Sequence, residues 1–596
     1  MSKETKHHSF GRRLWKKFFI WRLKHISDRQ FMAFISVIVG ILTGIGAVVI
    51  KKSVHFIQSN IHRFEAGNWW FIFMPLIGVS LALLFMKYII KRPVRHGVPN
   101  VLYAKGKAKG FMRAHNMYSS IITSALTVGF GGSVGLEGPT VSTGAAIGSN
   151  IGRFLHLRLR EVILLLGCAS AGAMAAIFKA PITAIVFALE VIMLDLTMAS
   201  IIPLLLASVS AVLVSYSLTG QDVLYPFTVE DAFVLKDITY YILLGITTGF
   251  VSVYFKRIYV FITSIFENMK SKVKRLIVGG LVLGGIIYIF PSLYGEGYQV
   301  INSCLKGNLE YLFTDTLYSS FRGNLYLTVA ILIAVGLTKV VATTITFGSG
   351  GVGGIFAPTL FVGVHVGLAF ALLANQLGPH NININNFALM GMAGMISAVL
   401  HAPLTSIFLI AELSGGYQLF VPLMITSTLS FFIIRLFEKH SVYTYQLAKR
   451  KELITHHKDQ AILSMMEVPK LIETDFATIS PDATLGDLVH VIETAHRNLF
   501  PVVDANGKLH GMVKMDDVRK IIFKPELYDK VKVSELMYMP EHFISPDDSM
   551  EELVNKFSSS ARYNICVLDN GKYLGFISRA KAFTAYRYQM KRHSQE

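Results

Sequence analysis

The chain has 596 residues, 52% of them hydrophobic and only 16% charged. Soluble globular domains carry roughly 25% charged residues, so an ordinary soluble protein is excluded. The formal net charge of +19 would suit a nucleic-acid partner, but the basic residues flank apolar runs instead of forming one patch, and no nucleic acid is expected.

Residues 1–30 form a basic segment containing "KKFFIWRLKH". Apolar runs then recur from residue 31 to residue 438, among them "FMAFISVIVGILTGIGAVVI", "WWFIFMPLIGVSLALLFM" and "IIPLLLASVSAVLVSYSLTG". Each is near the roughly 20 residues that cross a hydrocarbon core as a helix, so the chain reads as a polytopic helical protein in a lipid bilayer. No small-residue cleavage site follows the first run, which reads as an anchor. Basic stretches such as "KRPVRHGVPNVLYAKGKAKGFMR", "RFLHLRLR", "KSKVKR" and "LAKRKE" lie beside the runs. Basic flanks mark the cytoplasmic side, which predicts a multi-pass protein of the cell membrane with both termini in the cytoplasm. The three cysteines, Cys168, Cys304 and Cys566, are scattered and predict neither a disulfide framework nor a zinc site.

Three segments break the apolar pattern: "RHGVPN" (Arg95 to Asn100), "GLEGP" (Gly135 to Pro139) and "GGIFAP" (Gly353 to Pro358). Each reads as a turn into an apolar helix, with proline in the first turn where it loses no hydrogen bond. A helix starting inside the bilayer leaves its first N–H groups unpaired and aims a partial positive charge inward. Non-helical backbone at that depth is tolerated where it lines a cavity, and several such ends together would hold an anion weakly enough to release it. Gly144 and Gly148 instead fit a small-residue packing face. Glu137 is a carboxylate at a depth where one costs about 2.5–3.5 kcal/mol. Drawn to the helix ends, it would compete with the anion for its site, and protonation would release it.

The membrane part repeats. "GCASAGAMAAIFKAPITAIVFALEV" (Gly167 to Val191) matches "GMAGMISAVLHAPLTSIFLIAELS" (Gly391 to Ser414), aligning Ala180-Pro181 with Ala402-Pro403 and Glu190 with Glu412. "LEGPTVSTGAAIG" pairs in the same way with "IFAPTLFVGVHVG". Internal repeats with broken helices are a transporter pattern, the site lying between them. The shared position of Glu190 and Glu412 predicts a structural, hydrogen-bonded role. No nucleophile–base pairing, metal cluster or phosphate-cradling loop points to an enzyme.

Residues 439–462 are polar and basic and read as a linker. Beyond them, "TISPDATLGDLVHVI" is echoed by "FISPDDSMEELVNKF", and "FPVVDANGKLHGMVKMDDV" by "ICVLDNGKYLGFISRAKA". Each unit reads as helix, strand, Asp/Asn-Gly turn, strand and helix. The echo resembles a tandem pair of CBS domains, at 463–530 and 531–590.

With GLEGP, GGIFAP, RHGVP and "SVYTYQL" in order and a CBS pair behind them, the chain resembles the CLC family of chloride channels and chloride/proton exchangers. The resemblance implies an all-α membrane domain of about 18 helices in two inverted repeats with broken helices at the site, plus α/β cytoplasmic CBS domains. It implies a homodimer with one pore per subunit, passing chloride and other small anions and requiring no cofactor. It places the gating glutamate at Glu137 and the anion-binding positions at Gly97, Val98, Gly135, Gly138, Ile355 and Phe356. Tyr443 falls at the family's inner-gate tyrosine. His96 stands where many members have an anion-contacting serine; its imidazole can donate a hydrogen bond and, protonated, would hold the anion more tightly.

Exchangers of the family usually carry an internal proton glutamate directly after the position of Glu190, whereas here Val191 follows. Channels show the same Glu-Val pair, so the expectation is a passive, pH-sensitive chloride channel gated by Glu137. The alternative is a chloride/proton exchanger using the same site, and a remote one a nucleotide sensor with a membrane anchor. Nucleotide-binding CBS units offer a Ser/Thr and, three residues on, an Asp. Here Lys514 precedes Asp517 and Ser578 precedes Lys581, so each unit keeps half of the pair, and a dimerisation module is favoured over a site for ATP, ADP or AMP.

Overall fold

The apolar runs fold into helices, and the computed structural model describes them over residues 21–22, 24–62, 69–92, 97–194, 197–220, 233–314, 316, 318–450, 452, 463, 466–560 and 562–594. The chain divides into two units, residues 1–453 and 454–596. Most of the basic segment 1–30, His96, and most of the stretch 451–462 lie outside the described residues.

Among the described residues, the regular elements of the first unit are all helices. In chain order the described helices are α1 (Asp28–His62), α2 (Met74–Phe85), α3 (Gly97–Gly106), α4 (Asn116–Gly129), α5 (Glu137–Phe154), α6 (Leu159–Phe178), α7 (Pro181–Glu190), α8 (Met198–Thr219) and α9 (Ile238–Asn268). They continue with α10 (Lys272–Ile289), α11 (Tyr298–Leu305), α12 (Leu325–Ser349), α13 (Phe356–Leu377), α14 (Ile384–Leu400), α15 (Pro403–Leu413), α16 (Phe420–Phe437) and α17 (Val442–Lys449). Among the described residues, eight helical segments are long and apolar enough to cross a membrane, while α7, α14 and α15 are shorter apolar helices. The centre is formed by α5, α6, α13 and α14, which are apolar or small on almost every face and buried accordingly. Gly144 and Gly148 do pack there: an added Cβ would lie 2.5 Å from the Ala169 carbonyl oxygen and 2.4 Å from that of Leu165, on α6.

The two repeats are visible as paired structure. In both, the residue before the Ala-Pro pair ends a helix in the left-handed region, Lys179 at φ 59° and His401 at φ 56°. The carboxylate of Glu190, ending α7, accepts the N–H groups of Leu404 and Thr405 at 3.1 and 2.7 Å and the Thr405 hydroxyl at 2.7 Å. Glu412, near the end of α15, accepts those of Ile182 and Thr183 at 3.0 and 2.7 Å and the Thr183 hydroxyl at 2.5 Å. Each repeat's glutamate therefore caps the first turn of the other's helix, satisfying donors that proline-led helices leave open.

The expected linker begins inside this unit. Ser441 accepts the Thr444 N–H at 3.2 Å and caps α17, and Tyr443 is only 3% exposed. Buried Lys256, in the middle of α9, pairs with Glu438 at 2.6 Å and donates to the His440 carbonyl, fixing the approach to α17.

In the second unit, Thr484 and Asp487 form a capping box at the start of α18 (Leu485–Thr494). Strands β1 (Leu499–Val503) and β2 (Leu509–Lys514) pair antiparallel. The second CBS region has β3 (Phe543–Ile544), α19 (Met550–Ser560), β4 (Asn564–Asp569), β5 (Lys572–Ser578) and α20 (Arg579–Ser594), with β3 parallel and β5 antiparallel to β4. Leu509 and Met512 of the first region meet Cys566 and Phe576 of the second in one apolar cluster, so the two halves share a core.

Candidate anion site

Each glycine-proline segment sets the N-terminus of a helix, as its spacing predicts: Gly97 opens α3, Glu137 opens α5 and Phe356 opens α13. The first two meet at van der Waals limits. A Cβ on Gly97 would lie 2.3 Å from the carbonyl carbon and oxygen of Gly138, so only glycine allows these helix ends to approach. The second and third are stitched together, the Gly135 N–H donating to the Gly354 carbonyl at 2.8 Å and the Gly354 N–H to that of Gly135 at 2.7 Å.

Where these ends converge lies a small cavity whose lining includes Gly97, Val98, Gly138, Gly354, Ile355 and Tyr443, together with Tyr259, Phe347 and Gln446. Partial positive charge from the helix ends faces this space with no full cation among the described residues of its lining, an arrangement suited to a small anion. Gln446 donates to the Tyr259 hydroxyl at 2.9 Å, joining two residues of the wall.

Of the positions expected to bind the anion, Gly97, Val98, Gly138, Ile355 and Tyr443 line this cavity, while Gly135 and Phe356 do not. The Gly135 N–H is spent on Gly354, and the Phe356 ring packs on Phe178 with ring centres 5.1 Å apart. Gly135 thus joins the two helix starts. His96, directly before α3, lies outside the described residues.

Glu137 is 2% exposed. Its carboxyl group faces the backbone amides of Glu137 and Ala357, and one oxygen, Oε1, accepts a hydrogen bond from the Tyr298 hydroxyl. The other oxygen, Oε2, is buried without a hydrogen-bond partner. Val191 sits just past the end of α7, 5% exposed, its N–H on the Phe187 carbonyl at 2.9 Å, and brings no titratable group there.

Tyr298, Glu296, Lys51 and Lys339 around Glu137 escaped the sequence reading. Lys339 is fully buried inside α12, and Lys51 lies partly buried inside α1. Ionisable residues within apolar runs are themselves a signal of function, and both lysines carried it.

In the second unit, Ser578 donates to Glu473 at 2.5 Å and accepts the Lys581 N–H at 3.2 Å, while Asp517 lies exposed. Lys514 lies over the Tyr538 ring, 4.3 Å from its centre, and Lys581 donates to the Ile472 carbonyl at 3.2 Å.

Residues 78–435 match the family described as "Voltage gated chloride channel", and residues 468–524 and 533–588 each match the CBS domain. The "Putative chloride channel protein ClcB-like" of Ralstonia nicotianae is 29% identical over 402 residues, 66% of this chain and 90% of that protein. The "H(+)/Cl(-) exchange transporter ClcA" of Vibrio cholerae is 27% identical over 432 residues, 70% of this chain and 88% of that protein. Among solved structures, a slow cyanobacterial Cl-/H+ antiporter superposes with a TM-score of 0.60 at 24% identity, covering 71% of this chain and 98% of its own. A eukaryotic CLC transporter superposes with a TM-score of 0.57 at 18% identity, covering 92% and 97%. These two structures share the fold. With the family matched across most of the membrane unit and both CBS domains behind it, the chain belongs to the CLC family of voltage-gated chloride channel proteins.

Proposed function

We propose that this chain is a chloride/proton exchanger in which Glu137 carries the proton and gates the anion path. The carrying observation is a titratable carboxylate, 2% exposed, at the start of a helix whose next residue lines the anion cavity. A charged Glu137 occupies the anion's place and a protonated one leaves it, so proton and anion binding exclude one another at a single position. The names of the ClcA relatives favour exchange over the passive channel that Val191 suggested.

The anion rests on the helix starts at Gly97–Val98, Gly138 and Ile355, with Tyr443 at the inner end, and His96 precedes the first of them in the sequence. The protein works as a homodimer in the cell membrane with one pathway per subunit and both termini in the cytoplasm. The CBS pair acts as a dimerisation module. A nucleotide at Ser578 would have to displace Glu473 from it.

A passive channel is the second reading, favoured by Val191, which cannot relay a proton. Reversal potentials of the reconstituted protein under a pH gradient decide between them. A shift from the chloride towards the proton equilibrium potential supports exchange, and a potential that follows chloride alone overturns it.

A further inference from the structure

The turn between α10 and α11, Gly295-Glu296-Gly297-Tyr298, lies outside the anion cavity yet grips the gate with two side chains. The Glu296 carboxylate accepts the N–H of Leu136 at 3.3 Å, and the Tyr298 hydroxyl donates to Glu137, the next residue along. Lys339 anchors the turn from within α12, donating to the carbonyls of Gly295 at 3.0 Å and Leu293 at 3.4 Å. Glu296 keeps part of its surface exposed, whereas Glu137 keeps 2%.

Four charged groups act on one another here. Glu296 is within electrostatic reach of Glu137, Lys51 and Lys339, and Lys51 also reaches Glu137 and Lys179. Lys51 is tied to the Ile177 carbonyl at 2.7 Å, and Lys179 to that of Gly220 at 2.7 Å. With both carboxylates ionised and both lysines protonated, the quartet of Glu137, Glu296, Lys51 and Lys339 is neutral. One added proton leaves it with a net positive charge, which an arriving anion cancels. A proton on this quartet is therefore linked to an anion beside it.

We propose that Glu296 is the proton-transfer residue of the gate, taking a proton from solvent and passing it to Glu137, with Tyr298 positioning the acceptor. The O–H bond at Glu296 breaks and one forms on the Glu137 carboxylate. Glu296 is left ionised, and solvent water supplies the next proton, so no other reactant is needed. A residue serving only as a helix cap for Leu136 would need an oxygen acceptor and no proton. The inference rests on the reading of Glu137 as a proton-released gate, and holds for exchanger and channel alike.

The test uses the full chain in proteoliposomes, following chloride flux after a pH jump on one side of the membrane at a time. Glu296→Gln keeps an oxygen for the Leu136 N–H but carries no proton. The flux response to a jump on one side is expected to slow about 100-fold, the low end of what a positioned acid–base group contributes, while the response on the other side stays. Glu296→Asp is expected to restore most of it. Tyr298→Phe, which removes only a hydroxyl, is expected to slow the same side and serves if Glu296→Gln does not fold. Wild-type responses on both sides in Glu296→Gln and Tyr298→Phe would overturn the proposal, as would equal slowing on both sides. A pH response that persists in Glu137→Gln would instead sink the gate itself.

Discussion

Gly135 and Gly354 hydrogen-bond to each other in both directions, N–H to carbonyl at 2.8 and 2.7 Å, and they hold the same place in the two repeats of the chain. Equivalent residues can trade identical bonds only about a two-fold axis, so this antiparallel contact marks where the halves turn on one another. The helix starts of α5 and α13 leave that point together and bring Gly138 and Ile355 to one cavity.

The tight crossing of α3 over α5 sets the first prediction. Gly97→Ala places a Cβ 2.3 Å from the Gly138 carbonyl, whereas Gly285 has nothing within 4 Å of its own added Cβ. Gly97→Ala is expected to lower stability by about 1–3 kcal/mol through overpacking and to suppress chloride flux. Gly285→Ala should leave both near wild type, as read by thermal unfolding in detergent and efflux from vesicles. Equal behaviour of the two variants would contradict the crossing.

Glu137→Gln keeps the shape of the side chain and removes its charge. Chloride flux should rise and lose its pH dependence, because a neutral amide no longer competes with the anion. Flux measured between pH 4.5 and 7.5 checks this, and an unchanged pH profile would remove Glu137 from the gate.

Glu190 and Glu412 are expected to behave alike. Replacing either with Ala leaves two backbone N–H groups and a threonine hydroxyl without their acceptor. A loss of about 1–3 kcal/mol is expected for each. Glu190→Gln should keep the wild-type pH dependence of flux, since its carboxylate serves as a cap. A selective loss of proton coupling in Glu190→Gln would assign it a transport role instead.

A pH effect is also expected in the first CBS region. His510, and then the Lys508 amide, hold the Asp504 carboxyl below the usual carboxylate range. A depressed carboxylate contributes its stability above the ordinary value near 4 and loses it as pH falls through the lower folded value. The turn that Asp504 holds, through the N–H groups of Asn506 at 2.9 Å and Lys508 at 3.0 Å, should therefore stay closed at neutral pH and loosen below about pH 4. Hydrogen exchange at these two amides reads the change, and protection that is flat down to pH 2 would count against it.

The helices and the three broken starts were legible because proline, glycine and apolar length act locally. The equivalence of Glu190 and Glu412 and their hydrogen-bonded role were legible through the repeat. Tyr298 and Glu296 were not, because "GEGY" has the look of an ordinary turn and meets Leu136 and Glu137 only after about 160 residues of intervening chain have folded. The role of Gly135 was misplaced for a related reason: sequence shows that an amide exists, but whether it is free depends on a partner more than 200 residues away.

The exchanged glutamate caps also restrict how the protein can cycle. Each half holds the other's helix start through three hydrogen bonds, six in all. A cycle in which the halves rock apart would have to break these bonds at every turnover. A swinging carboxylate breaks none of them. A cycle carried by the Glu137 side chain is therefore expected to keep this interlock closed throughout.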